Sequence, residues 1–200
     1  MFEDTYKTIE RSAEGFYSEK RSKFIAYAFA VSSENDVKQR LAEIQKKHWD
    51  ARHHCYAYIL GPRKDAYRLN DNGEPSGTAG RPIYGQMLSK DITDTLIVVV
   101  RYFGGIKLGV SGLQNAYKAA AKDVLDNAKI IEKTIQIKCQ VTFEYGKMNE
   151  VMQILKNPGI QILNRQSDLR CTYSISVRLR DFDNIVNSLL KIDATEVVRL

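Results

Sequence analysis

The sequence predicts an α+β protein of two domains, residues 1–133 and 134–200. Three observations predict this. Strand and helix periodicities alternate along the whole chain. Near Lys133 the texture changes to strands with one apolar and one polar face. From there the elements run β-α-β-β-α-β, the order of a ferredoxin-like unit. With 200 residues, 44% of them hydrophobic and 27% charged, the chain can bury a core in each of two such domains.

In the first domain, Lys23 to Val31 reads as a strand. Glu34 to Lys47 reads as a helix with Val37, Leu41 and Ile44 on one face and Ser32 or Ser33 as its cap. Arg52 to Leu60 alternates, with His53, Cys55, Ala57 and Ile59 on one side and His54, Tyr56 and Tyr58 on the other; bulk on both faces predicts a central strand. A short strand, Ala66 to Leu69, leads into the segment Asp71 to Pro82, whose glycine and proline density predicts a loop. Thr95 to Phe103 is a strand that enters a glycine-rich turn, and Gly112 to Ala128 is the helix that leaves it, with Leu113, Ala116, Tyr117, Ala120, Val124 and Leu125 as its buried stripe.

In the second domain, Ile135, Ile137, Cys139, Val141 and Phe143 alternate with polar residues, and a helix follows from about Lys147 to Lys156, stopped by Asn157-Pro158-Gly159. Strands at Ile160 to Asn164 and Cys171 to Leu179, a helix carrying Phe182, Ile185, Val186 and Leu189, and a strand from Thr195 to Leu200 complete it.

No run approaches the ~18 apolar residues of a bilayer span, and Met1 to Lys7 carries acidic residues where a signal peptide needs a basic start, so a cytoplasmic protein without a membrane partner is expected. Cys55, Cys139 and Cys171 are widely separated and lie in apolar or alternating stretches, the pattern of buried thiols. The formal net charge of +6 divides into +4 (21 basic, 17 acidic) over 1–133 and +2 (9 and 7) over 134–200, with no long basic block; it favours RNA or phosphorylated ligands.

The stretch Val98 to Leu113 is the strongest candidate site, an apolar strand ending in Gly104-Gly105-Ile106-Lys107-Leu108-Gly109-Val110-Ser111-Gly112 before a helix. Gly105, Gly109, Ser111 and Gly112 leave backbone N–H groups open at the helix start, and Lys107 adds a charge for an anion. The spacing is neither that of a Walker A loop nor of a dinucleotide fingerprint. The segment 71–82 offers Asp71, Glu74, Ser76, Thr78 and Arg81; one of its carboxylates can be written as a base, or the segment can use them for turn hydrogen bonds, and no catalytic set is assigned. His48, His53, His54 and Cys55 lack the spacing of a zinc site, so no metal or other cofactor is expected. Arg21, Lys23, Arg52, Arg81, Arg101 and Lys107 fall near strand ends and turns, where they can form a basic rim. The polar sheet face of the second domain, with Gln136, Lys138, Gln140, Thr172, Ser174, Ser176 and Arg178, has no aromatics on which a base would stack.

Three ordered motifs, Ala51-Arg52-His53-His54-Cys55-Tyr56-Ala57, Asp71 to Pro82, and Arg101-Tyr102-Phe103-Gly104-Gly105-Ile106-Lys107-Leu108-Gly109 with Gly112-Leu113 and Ala116-Tyr117, resemble the IMPACT family in its bacterial, YigZ-like branch. The resemblance implies a first domain like domain 2 of ribosomal protein S5 and a second like the C-terminal ferredoxin-like domain of elongation factor G. It also implies kinship with eukaryotic translational regulators, whose RWD domain this chain lacks. The leading expectation is a non-enzymatic binding or regulatory protein that contacts RNA or the ribosome and is linked to translation. The alternatives are a protein or enzyme for a small phosphorylated metabolite, using the Gly104 to Gly112 loop, and a protein-interaction adaptor.

Overall fold

The computed structural model describes residues 4–200, so the first positions of the Met1 to Lys7 segment lie outside the described residues. The chain forms two compact units, one of Tyr6–Lys133 and one of Thr134–Leu200 with Asp4 and Thr5.

The first unit is built on a five-stranded sheet. Its strands are β2 (Ala13–Glu19), β3 (Ser22–Ala30), β4 (His53–Leu60), β5 (Ala66–Asn70) and β6 (Thr95–Tyr102), in the order β2-β3-β6-β4-β5. Every neighbouring pair is antiparallel. A separate two-stranded ribbon joins β1 (Thr5–Ile9) to β7 (Ile130–Thr134).

Helices cover both faces of the large sheet. Helix α1 (Glu34–Lys47) packs Val37 and Ile44 on one face, against Tyr27, Tyr58, Leu96, Val98 and Val100. Helices α2 (Gly80–Ser89) and α3 (Gly109–Asn127) pack on the other, where Ile83, Met87, Tyr117 and Val124 meet Phe24, Cys55, Ile97 and Val99. Covering both faces is why β6, the middle strand, is an unbroken apolar run with Leu96 to Val100 fully buried. Each such side chain contributes about 1.5–3 kcal/mol relative to exposure.

Helix α1 starts as expected at Ser33, whose Oγ accepts from Asp36 N at 3.2 Å, while the Asp36 carboxylate accepts from Ser32 N at 2.8 Å. Two expectations fail nearby. Helix α2 begins at Gly80, inside the segment read as loop through Pro82, because proline is tolerated in a first turn whose N–H groups have no helical partner. Helix α3 begins at Gly109, one turn earlier than Gly112. Strands β1 and β2 carry mixed, half-exposed patterns that periodicity does not single out.

In the second unit, β8 (Gln136–Phe143), α4 (Met148–Leu155), β9 (Ile160–Ser167), β10 (Cys171–Arg178), α5 (Phe182–Leu190) and β11 (Glu196–Arg199) follow one another in the expected order. The sheet is antiparallel with order β11-β8-β10-β9, and a bulge at Ser174/Ile175 shifts the β9 register. Its core joins Cys139, Val141, Phe143, Tyr173, Ile175 and Val177 to Val151 and Leu155 of α4 and Ile185 and Leu189 of α5. All three cysteines are buried free thiols.

Candidate functional site

The site lies where the end of β6 meets the start of β4, with Arg101 opposite His53 in the ladder. The loop between β5 and α2 folds over this corner, held by its own polar groups. The Asp71 carboxylate accepts from the N–H groups of Gly77 (2.8 Å), Ala79 (2.9 Å) and Gly80 (2.9 Å). It thereby caps α2, whose N-cap residue, Ala79, has no side chain to do so. Burial pushes the Asp71 carboxyl upward, but the three N–H donors outweigh it and hold it below the usual carboxylate value. Asn72 fixes the loop to β4: its Oδ1 accepts from His54 N at 2.7 Å, and its carbonyl lies 2.9 Å from His53 Nδ1. A carbonyl only accepts, so His53 Nδ1 carries the proton.

Glu74 turns inward. Its Oε1 accepts from Arg101 Nη1 at 2.7 Å and from the Tyr117 hydroxyl at 2.8 Å, and the Glu74 and Arg101 side chains are only 4% and 7% exposed. The Arg101 guanidinium lies 5.5 Å from the ring centres of both Phe24 and Phe103, and its Nε has no hydrogen-bond partner among the described residues. Below the pair, Cys55 Sγ is 2.9 Å from the Asp71 carbonyl and 3.3 Å from Tyr117 Oη. Burial pushes the Cys55 thiol up to about 12, so it stays protonated at neutral pH. Burial, with Cys55 and Glu74 close by, pushes the Tyr117 hydroxyl far above its usual value.

Above this buried chain opens a cleft of about 460 Å³, whose walls include Arg52, His53, Phe103, Lys107, Gly109 and Val110. Arg52 and Lys107 are exposed, and neither has an ion-pair partner among the described residues. The one acid among the described residues of the wall, Glu74, is neutralised by Arg101. The first turn of α3 holds no acidic residue and has no side-chain cap, so its N–H groups and positive dipole end are available to an anion.

Of the residues singled out from the sequence, the cleft brings together Arg52, His53, Glu74, Arg101, Lys107 and Gly109. Arg101, expected on a charged rim, is 6% exposed, because Glu74 and two aromatic rings enclose it. Asp71 and Cys55 lie in the supporting network. Thr78 is buried, its hydroxyl donating to the Pro75 carbonyl at 2.6 Å. Ser76, Arg81, Gly105, Ser111 and Gly112 do not line the cleft. Tyr117, which helical periodicity marks only as core, and Phe103, which no periodicity singles out, belong to the site as well; Phe103 directly follows the last residue of β6 and precedes two glycines, a place poorly suited to burial, and is 54% exposed. Among the described residues no group of three or more His, Cys, Asp or Glu is placed to hold a metal ion, and no helix is long and apolar enough to cross a membrane.

The profile of the Impact N-terminal domain matches residues 20–125, more than half of the chain and all of the cleft. The chain belongs to the IMPACT family. It is 34% identical over 152 residues to the IMPACT family member YvyE of Bacillus subtilis, spanning 76% of this chain and 70% of that one. It is 33% identical over 147 residues, 72% of each chain, to the IMPACT family member YigZ of Escherichia coli. A crystal structure described as that of a hypothetical protein matches all of this chain and 98% of its own, with a TM-score of 0.78 at 24% identity, a likeness of fold alone. The IMPACT match begins in the β2–β3 turn and ends within α3, so the elements that build the corner are those that the family shares.

Proposed function

We propose that this IMPACT family protein is a non-enzymatic RNA-binding protein, linked to translation, that contacts RNA or the ribosome through phosphates held at Arg52, Lys107 and the start of α3. The observation that carries the reading is the one-signed cleft: two unpaired cations and an uncapped helix start around a single acid that is already neutralised. Arg101 Nε, buried and without a partner in the same wall, adds a donor on that side. Both carboxylates that would serve as a base are committed, Asp71 to three backbone donors and Glu74 to Arg101 and Tyr117, which favours binding over catalysis. The element orders of the two units fit modules like S5 domain 2 and the ferredoxin-like domain, both found in translation proteins.

Co-sedimentation with ribosomes and with isolated rRNA tests this, with nuclease controls. The expected result is nuclease-sensitive binding that weakens steeply with salt and with Arg52→Ala/Lys107→Ala. Absent binding at low salt, or binding indifferent to salt, would overturn it. The volume of the cleft, about 460 Å³, also suits a small phosphorylated metabolite. A thermal shift with nucleotides or sugar phosphates, in a protein that ignores RNA, would favour that second reading.

A further inference from the structure

Phe103, with 54% of its surface exposed, stands between two concavities and lines both. On one side is the cleft with Arg52 and Lys107. On the other is a hollow of about 320 Å³ lined by Arg21, Lys23, Ile25, Tyr102 and Phe103, with no acid among the described residues of its wall. Arg21 and Lys23 are exposed and have no ion-pair partner among the described residues.

The arrangement is held rigidly. A Cβ on Gly104 would fall 2.1 Å from the Arg21 carbonyl carbon, and Gly104 N donates to Ser22 Oγ at 3.1 Å, so the residue after Phe103 is pressed against the β2–β3 turn. That turn has two residues, Lys20 (φ 45°) and Arg21 (φ 65°), between the paired Glu19 and Ser22. Both are left-handed, where Asn-Gly is the usual choice. Arg101 backs the Phe103 ring from the protein side.

An exposed aromatic with unpaired cations on either side is the pattern that holds a nucleic-acid strand, a base on the ring and phosphates beyond it in both directions. We infer that this surface binds single-stranded RNA across Phe103, one base stacked on the ring and flanking phosphates at Arg52/Lys107 and at Arg21/Lys23. A duplex cannot bind this way, because its bases are already stacked on one another and its grooves present edges and backbone. The inference rests on the RNA-binding reading above and goes further by naming the form of RNA and the residue that selects it.

Fluorescence anisotropy with a labelled twelve-nucleotide oligouridylate and a twelve-base-pair RNA duplex provides the test, on the full chain. Wild type should prefer the single strand. Phe103→Leu should weaken it roughly 5- to 150-fold, the range for losing one base–aromatic stack, with the salt slope and the melting temperature unchanged. Phe103→Tyr should restore binding. Arg21→Ala/Lys23→Ala should instead flatten the salt slope, by about 0.7 for each phosphate of a single strand that is no longer neutralised. Equal affinity for both probes, or indifference to Phe103→Leu while Arg52→Ala/Lys107→Ala still weakens binding, would overturn this inference and leave the RNA-binding reading standing. No binding to either probe at low salt would also overturn it, and the same result with ribosomes would remove both.

Discussion

Arg52 immediately precedes β4 and Arg101 lies on the neighbouring β6, opposite His53 in the ladder, and they put the same guanidinium to opposite uses. Arg101 is enclosed by Phe24, Phe103 and Glu74, and its charge is cancelled at 2.7 Å. Arg52, like Lys107, is exposed at the mouth of the cleft and has no ion-pair partner among the described residues. A buried pair is costly to desolvate and costlier to break, so it serves to hold the 71–80 loop and Tyr117 in one arrangement. An exposed cation contributes little to folding and keeps its charge for a ligand. The position of a basic residue in a motif therefore says less about its role than whether an acid from another element reaches it.

The predictions probe this contrast, from the largest effect down. Arg101→Ala, which leaves Glu74 buried with only the Tyr117 hydroxyl, should lower stability by about 3–5 kcal/mol in urea unfolding. An unchanged midpoint would break the comparison. Tyr117→Phe removes a hydrogen bond to a charged acceptor and should cost about 1.5–3 kcal/mol by the same measurement.

Asp71→Ala, which removes the accepting oxygens altogether, should cost about 0.5–2 kcal/mol, the range for losing a helix cap. It also has a pH signature. The folded-state value of Asp71 lies below the unfolded one, so its contribution is full above the unfolded carboxylate range, near pH 4, and is lost as pH falls through the folded value. The acid limb of the stability curve should be shallower in Asp71→Ala, and superimposable limbs would remove Asp71 from that role. Arg52→Ala and Lys107→Ala, at the other end of the scale, should each stay within about 0.5 kcal/mol of wild type in stability. A large loss there would mean that these cations hold the fold after all.

What the sequence made legible follows from the range of the interactions involved. Val37, Leu41 and Ile44 repeat at helical spacing, and α1 covers Glu34–Lys47, the span expected. The apolar run of β6 and the alternation of β8 and β10 mark their strands in the same local way. Helix α2 was not legible, because its first turn holds Gly80 and Pro82 and its capping carboxylate comes from Asp71, eight residues before Ala79. The burial of Arg101 was hidden for the same reason, since Glu74 lies 27 residues away and no periodicity links them. The motif residues that line the cleft were all visible as motifs; which of them face the opening and which are sealed beneath it is decided by pairings between the loop and β6.

The most direct measurement of the central claim is the slope of log K against log salt for rRNA binding, in wild type and in Arg52→Ala/Lys107→Ala, with melting temperatures taken in parallel. Open cations that contact phosphates of a single strand predict a slope shallower by about 1.4 in the double variant, about 0.7 for each phosphate no longer neutralised, at an unchanged melting temperature. An unchanged slope, or no binding by wild type at low salt, would contradict the account.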